Sequence, residues 1–158
     1  MTPYLRAKAC LNAEKYAKSK GLATQKTFGY GQEGYVLQTN KRTAIKAFYY
    51  DVHFHQELEI YQYLQRWGIV KASGFNIPQL LDHSVELQII EMEVVQPPFI
   101  VDFVGARLEI PFERDDDWEQ SMKDVFESDW KAVARALFKL ENEGVYLSDI
   151  HLGNIRCR

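Results

Sequence analysis

The sequence contains few cysteines and no long apolar run, and both shortages limit what the protein can be. Its two cysteines, Cys10 and Cys157, lie near opposite ends of the 158 residues and lack the spacing of a metal site. Such usage favours a reducing compartment, so we expect the protein in the cytoplasm. No apolar segment is long enough to span a membrane, and the N-terminus lacks a signal-peptide pattern. We therefore expect no membrane partner.

The chain also lacks an excess of basic charge. It has 19 Lys and Arg against 22 Asp and Glu, a net charge of −3. Non-specific nucleic-acid binding needs a basic excess, so no nucleic-acid partner is expected. There is no internal repeat or low-complexity tract. The 46% hydrophobic and 13% aromatic content is enough for a folded core, and the length predicts one domain.

An N-terminal helix is predicted over Tyr4 to Lys20. Thr2 can cap it, Pro3 suits its first turn, and Gly21 suits its end. Its apolar residues are irregularly spaced along one face, and lysines occupy the rest of the helix surface. We expect a surface helix packed on one flank of the fold, with partner binding as the alternative.

A glycine-rich motif follows this helix. Gly-x-Gly-x-x-Gly-x-Val is formed by Gly29, Gly31, Gly34 and Val36. Glycines let backbone N–H groups approach phosphate oxygens where a Cβ would collide. A dinucleotide-binding loop would open a helix and be followed about twenty residues later by an acid, and Asp51 lies near that distance. Strand, turn and strand follow instead, which favours a nucleotide-covering hairpin over a dinucleotide-dependent oxidoreductase. A hairpin without a ligand is the other alternative.

The strand predicted over Thr43–Phe48 carries a candidate phosphate-binding lysine. Side chains alternate along a strand, so Ala44 and Lys46 share a face. Ala44-Ile45-Lys46 resembles the Val-Ala-Ile-Lys signature of kinase strand three, which implies that the small residue at position 44 leaves room for an adenine ring and that the lysine reaches the phosphates. An ordinary solvated lysine is the alternative.

Residues Asp51 to Arg66 are predicted to form an amphipathic helix, because apolar residues recur every three or four positions. Glu57 falls on the apolar side, with Tyr61 and Leu64, and is expected to point inward. Glu59 is expected to face solvent.

The region beyond this helix is predicted to contain two strands, around Ile77–His83 and Glu86–Val95, and Pro97-Pro98 then breaks the second. The acidic cluster Glu113–Asp117 is expected to be a solvated loop and helix start rather than a metal site. A further helix is predicted over Asp129–Glu143, capped by Asp129 and ended by Gly144.

The last candidate residues in the sequence are an acid and an amide near its C-terminal end. Asp149 is followed five positions later by Asn154. A carboxylate can accept a proton from a hydroxyl nucleophile, and an amide oxygen can coordinate Mg²⁺ beside it. Both tasks belong to phosphoryl transfer.

The ordered set resembles the protein kinase-like superfamily of eukaryotic-type protein kinases and aminoglycoside phosphotransferases, over roughly residues 27–156. The stretch Asp149–Asn154 is more similar to the Gly-Asp-x-His-x-Gly-Asn of small-molecule kinases, with Leu152 where Pro is usual. Ser148 stands where protein kinases have Arg, so control by a phosphorylated activation loop is not expected.

The resemblance implies an α+β fold. An N-terminal antiparallel β-sheet lobe with a C-helix would precede a short, incomplete helical C-lobe. The implied divisions are an N-terminal helix over 1–24, a kinase-like N-lobe over 25–96 and a partial C-lobe over 97–158.

The resemblance also implies roles for single residues. Asp149 would be the catalytic base, Asn154 a Mg²⁺ ligand, and Lys46 the phosphate clamp held by Glu57. Ile90 would gate the back of the pocket. The nucleotide-binding positions would be Gly29, Gly31, Gly34, Val36, Ala44, Lys46, Glu91 and Glu93, with the backbone of the last two at the adenine edge.

The implied function is transfer of a phosphoryl group from MgATP to a hydroxyl acceptor, either a protein Ser/Thr or a small molecule, by a cytoplasmic kinase of bacterial type. The chain ends at Arg158, before the position where family members carry a second metal-binding acid. We therefore expect an apparently truncated kinase. The alternative is a catalytically impaired pseudokinase-like module that serves as a binding scaffold. The sequence predicts neither the acceptor nor the oligomeric state.

Overall fold

The computed structural model describes residues 2–158. The helices and strands, in chain order, are α1 (Pro3–Ser19), β1 (Thr24–Tyr30), β2 (Gly34–Thr39), β3 (Thr43–Phe48), α2 (Asp51–Arg66), β4 (Lys71–Ala72), β5 (Phe75–Asn76), β6 (Leu80–Ser84), β7 (Ile89–Glu93), β8 (Phe99–Ile100), β9 (Arg107–Leu108), α3 (Asp116–Phe126), α4 (Trp130–Asn142), β10 (Val145–Tyr146) and β11 (Ile155–Arg156).

These elements form two compact units. The first contains residues up to Leu58 together with Gln79–Val94, and the second contains Glu59–Pro78 and Val95–Arg158. Helix α2 begins in the first unit and ends in the second. The units are defined by packing, and the functional division at residues 24/25 and 96/97 stays a prediction.

A five-stranded antiparallel sheet builds the first unit, in the order β1-β2-β3-β7-β6. Its inner strands β3 and β7 are buried along almost their whole length, and every neighbouring pair is antiparallel. Helix α2 follows the central strand β3. The predicted α+β class, with an antiparallel sheet lobe and a helix after its third strand, is confirmed.

Helix α1 packs on one face of this sheet. Small side chains allow the close approach, and the phenol of Tyr16 donates a 3.0 Å hydrogen bond to Oε2 of Glu91 in β7. The buried core at this interface consists of Ala9, Ala13, Tyr16, Ala17, Leu37, Ile45, Ala47, Tyr49 and Ile89. The predicted caps are present, since Thr2 Oγ1 accepts from Leu5 N–H and Gly21 follows the helix at φ +64°.

The second unit combines α3, α4 and the end of α2 with two small sheets. One sheet has the order β11-β8-β5-β4, and the other pairs β10 with β9. Its core includes an edge-to-face contact between Tyr61 and Phe103, whose ring centroids are 5.4 Å apart. The sequence did not predict these strands, because two residues are too short to show a period.

Several predicted boundaries need correction. The strands expected over 77–83 and 86–95 are shorter, at Leu80–Ser84 and Ile89–Glu93. Asp129 occupies the position before α4 but its side chain makes no capping hydrogen bond, because it is the last residue of a 3₁₀ turn over Glu127–Asp129 and its backbone has helical angles, φ −84° and ψ −12°. Its carboxylate instead accepts a hydrogen bond from Arg158. Gly144 follows α4 at φ +82°, as predicted.

Within residues 2–158, no helix has both the length and the apolar character needed to cross a membrane.

The buried Tyr16 phenol should make stability depend on alkaline pH. Burial, and then the hydrogen bond to Glu91, raises the pKa of Tyr16 above its ordinary value of 10.0; Asp82 acts in the same direction, and Lys20 lies over the ring. A raised pKa in the folded state means that the stabilisation is complete below the unfolded pKa and is lost as pH rises above it. In urea titrations, the stability gap between wild type and Tyr16→Phe should therefore stay constant from about pH 8 to about pH 9 and narrow as the pH rises from about 10 to about 11.

The exposed Tyr4 provides the control for this experiment. Its side chain lies on the same helix and is 73% exposed. The gap between wild type and Tyr4→Phe should stay constant over the same range. A constant gap for Tyr16→Phe would contradict the buried hydrogen bond.

Candidate functional site

The predicted site residues fall into two groups, one in each compact unit. Lys46, Glu57 and the glycine loop belong to the first unit, and Asp149 and Asn154 belong to the second. Each group has its own internal geometry.

Lys46 and Glu57 form a buried ion pair. Lys46 is 5% exposed and Glu57 is 0% exposed, and Nζ lies 2.6 Å from Oε2. Strand β3 fixes the lysine because it is paired on both sides, by β2 and β7. Glu57 is on the second turn of α2, which starts soon after β3 ends. The predicted inward orientation of Glu57 is confirmed, and Glu59 is exposed.

The sheet face that carries Lys46 also carries the predicted apolar positions. Strand register places Val36 and Ile90 directly across from Lys46, and Gln38 and Met92 directly across from Ala44. Directly paired residues in an antiparallel sheet point to the same face. Val36, Ala44 and Lys46 are therefore on one face.

Met92 lies within the predicted adenine edge, Glu91 to Glu93, but the sequence reasoning gave its side chain no role, and the gating role of Ile90 stays a prediction. Ile90 is beside the lysine, whereas Met92 is beside the alanine that was expected to make room for adenine. The order of residues along one strand does not show this. The signal lies in the register between β3 and β7.

Glu91 has its side chain on the opposite face, toward α1. Its Oε2 accepts from Tyr16 and its Oε1 accepts from Thr43 Oγ1 at 2.7 Å. Only the backbone of Glu91 could contribute to a nucleotide site on the Lys46 face. The N–H of Glu93 donates to the carbonyl of Gln79 at 3.0 Å, so this amide is already bonded within the sheet.

The three glycines of the loop differ in the space available for a side chain. At Gly34, a Cβ would lie 2.7 Å from the carbonyl oxygen of Ala47, so the pairing of β2 with β3 excludes a side chain. At Gly29 and Gly31, a Cβ would meet nothing within 4 Å. The N–H of Gly31 donates to the carbonyl of Gly34 at 3.0 Å and closes the loop. In this conformation, that amide is directed into the loop rather than outward.

Asp149 and Asn154 contact each other directly. Nδ2 of Asn154 donates to Oδ2 of Asp149 at 3.0 Å and to its carbonyl at 3.2 Å. Asn154 is held because its carbonyl accepts from Val101 N–H at 2.8 Å, and Ile155 pairs with Ile100. The Asp149 side chain is 55% exposed. The chain thus presents an accessible carboxylate whose direction is fixed by an amide.

His151 is a second partner of Asp149 that the sequence reasoning did not assign. Its Nε2 lies 3.3 Å from Oδ2 of Asp149, and its Nδ1 accepts from Gly153 N–H at 2.9 Å. Because Nδ1 is the acceptor in this bond, Nε2 is the ring nitrogen that faces the carboxylate. A Cβ on Gly153 would lie 2.7 Å from Cε1 of His151. The His-x-Gly pattern was the available signal.

The acidic segment before α3 is a helix start, as predicted. Asp115 caps α3 by accepting from Trp118 N–H at 2.8 Å. Arg114 pairs with Glu141 and donates to the carbonyl of Leu147 at 2.8 Å, which anchors the segment leading to Asp149. The sequence reasoning had no signal for this contact, because the partners are far apart in the chain.

The capacity for a metal rests on Asp149 and Asn154. Across the described chain, residues 2–158, no group of three His, Cys, Asp or Glu is placed to hold a metal ion. The pair offers a carboxylate and, since Nδ2 is the donor in both bonds, the amide Oδ1. Mg²⁺ prefers oxygen ligands and keeps waters and substrate phosphates as the remainder. The donors fit an ion that arrives with a nucleotide.

Solved structures similar to this chain include three complexes of aminoglycoside phosphotransferases. ADP-bound APH(2'')-Ib is 15% identical with a TM-score of 0.49, and the match covers 90% of this chain and 41% of that one. The ternary complex of APH(2'')-IIa with streptomycin and ATP is 14% identical with a TM-score of 0.48, covering 89% and 40%. The gentamicin complex of APH(2'')-IIa is 16% identical with a TM-score of 0.49, covering 89% and 40%.

The chain spans about two fifths of the length of these phosphotransferases. The nucleotides and aminoglycosides named belong to those longer chains. No protein-family model and no curated protein sequence matches this chain.

Removing one partner of the buried Lys46–Glu57 pair should lower the free energy of unfolding more than removing both. Lys46→Met leaves the Glu57 carboxylate buried without its cation, and we expect a loss of about 3–5 kcal/mol of unfolding free energy. The double variant Lys46→Met/Glu57→Leu should recover most of this loss. Urea unfolding measures both, and an equal loss in the double variant would contradict a coupled pair.

The two kinds of loop glycine should respond differently to alanine. Gly34→Ala forces a Cβ against the Ala47 carbonyl and should cost about 1–3 kcal/mol of stability. Gly31→Ala enters open space and should change stability by less than about 0.5 kcal/mol. Thermal unfolding of the two variants checks this, and equal losses would contradict the steric reason for Gly34.

Proposed function

We propose that the chain binds MgATP and transfers its terminal phosphoryl group to a hydroxyl acceptor. The observation that carries the proposal is the ion pair between Lys46 and Glu57, with almost no solvent exposure of either side chain. Replacing a buried ion pair by apolar side chains is often neutral or stabilising. Retention of charge at this position is therefore better explained by a ligand than by stability. An ammonium oriented by a carboxylate is suited to phosphate oxygens.

The surroundings of Lys46 suit the rest of a nucleotide. Ala44, Val36 and Met92 are on the same face of the sheet and offer small or apolar surface for a purine ring. The backbone at the end of β7, from Glu91 to Glu93, is the adenine edge in this proposal. The glycine loop joins β1 and β2 of the same sheet and would cover the phosphates.

Asp149 is the proton acceptor in this proposal. Its carboxylate is accessible, it accepts a hydrogen bond from the Asn154 amide, and Nε2 of His151 lies 3.3 Å from its Oδ2. In phosphoryl transfer, the protein mainly positions the groups and neutralises charge, and the base orients the attacking hydroxyl. Mg²⁺, when bound, would neutralise phosphate charge, with Asn154 Oδ1 as its ligand from this chain. The acceptor hydroxyl belongs to a protein Ser/Thr or a small molecule.

The test compares binding with turnover in the same samples. Wild type should bind MgATP in calorimetric titration and transfer label from γ-labelled ATP to water or an added hydroxyl acceptor. Asp149→Asn removes the proton acceptor at an exposed position, so binding should persist while turnover falls by about 10²–10⁴-fold. Asp117→Asn, a matched change at an exposed acid in the first turn of α3, should leave both unchanged.

The phosphate clamp has a separate control. The double variant Lys46→Met/Glu57→Leu keeps a packed interior but lacks the ammonium. If this folded variant does not bind MgATP, the loss of binding is due to the missing ammonium and not to unfolding. Binding by wild type without any turnover is the outcome expected of the scaffold alternative. An intact, folded chain that does not bind MgATP would overturn the proposal.

A further inference from the structure

Helix α1 and its C-cap residue Lys20 make polar contacts with the β6–β7 hairpin at three positions spaced by four residues. Asn12 Nδ2 donates to the carbonyl of Leu87 at 3.0 Å, the Tyr16 phenol donates to Glu91 at 3.0 Å, and Lys20 Nζ lies 2.5 Å from Oδ2 of Asp82. Residues four apart lie on the same helix face. The three side chains therefore form one row, which we call the polar row, and the whole row contacts a single hairpin.

The middle contact of the polar row is the most buried. Tyr16 is 1% exposed and Glu91 is 8% exposed, whereas the Lys20 and Asp82 side chains are 45% and 39% exposed. The second carboxylate oxygen of Glu91 accepts from Thr43 in β3, so α1 and β3 together fix both oxygens. A buried bond to a charged group is strong, and its loss leaves a buried acceptor without its partner.

Glu91 lies between two residues that point the other way. Ile90 and Met92 are directly across from Lys46 and Ala44, on the opposite face of β7. Because side chains alternate along a strand, a side chain held on one face fixes the backbone that carries the other two. Tyr16 can therefore influence the Lys46 face without contacting a ligand there.

We propose that Tyr16 is a positioning residue for the nucleotide: through Glu91 it holds β7 where Met92 and the backbone of residues 91–93 meet the purine. This inference rests on the proposed function and deepens it. Helix α1 then acts as a brace behind the adenine edge. The row Asn12, Tyr16 and Lys20 is the sequence feature that marks the brace.

The test uses Tyr16→Phe in the intact chain, which removes one hydroxyl and keeps the ring. We expect the Kd for MgATP to rise at least about fivefold and amide exchange of residues 89–93 to become faster. Glu91→Gln retains an acceptor oxygen for the phenol and should weaken binding less than Tyr16→Phe does.

Two controls separate positioning from general stability. Leu5→Ala removes a partly buried contact of α1 with the same core and lowers stability without touching Glu91, so its Kd should stay at the wild-type value. Tyr4→Phe should leave both measurements unchanged. If Leu5→Ala raises the Kd as much as Tyr16→Phe at an equal loss of melting temperature, the effect is stability alone and the inference is overturned.

The outcome also distinguishes this inference from the proposed function. If wild type binds MgATP and Tyr16→Phe binds equally well, the positioning role is overturned and the proposed function stands. If wild type does not bind at all, the proposed function fails, and the inference fails with it.

Discussion

The first unit depends on one electrostatic constraint, the pairing of Lys46 with Glu57 away from water. Desolvating either charge alone is costly, so the two elements that carry them, β3 and α2, must hold these side chains close together, and Nζ lies 2.6 Å from Oε2. The central position of β3 in the sheet and the start of α2 just after it meet this requirement by local connection alone. A charged pair could have been replaced by packed apolar side chains, and its presence is the observation on which the proposed nucleotide site rests.

The sheet that carries the lysine is used on both faces, for different purposes. One face is covered by α1 through an alanine-rich contact and the Tyr16–Glu91 bond, and the other carries Lys46 with Ala44, Val36 and Met92. Alternation along β7 links the two faces, because Glu91 and Met92 are consecutive. The support of the fold and the candidate adenine surface therefore share one strand.

In the second unit, the candidate residues contact one another within one short segment, residues 149–154. Asp149 is oriented by Asn154 and His151, and His151 is in turn oriented by the Gly153 amide. A network of this kind fixes the direction of a carboxylate while leaving it exposed. In the proposed reaction, this exposure would give a hydroxyl group access to the carboxylate, and the fixed orientation would lower the cost of placing it.

The sequence by itself determined the elements whose signals are local. The period of α2 placed Glu57 inward, Thr2 and Gly21 bounded α1, and the alternation of β3 put Ala44 beside Lys46. Only the tertiary structure decided the rest. Pairing register placed Met92 beside Ala44 and Ile90 beside Lys46, a close approach to Ala47 explained Gly34, and a contact 75 residues apart joined Tyr16 to Glu91. A local period repeats within a few residues, whereas register and side-chain contacts between distant segments are set only when the strands and helices pack together.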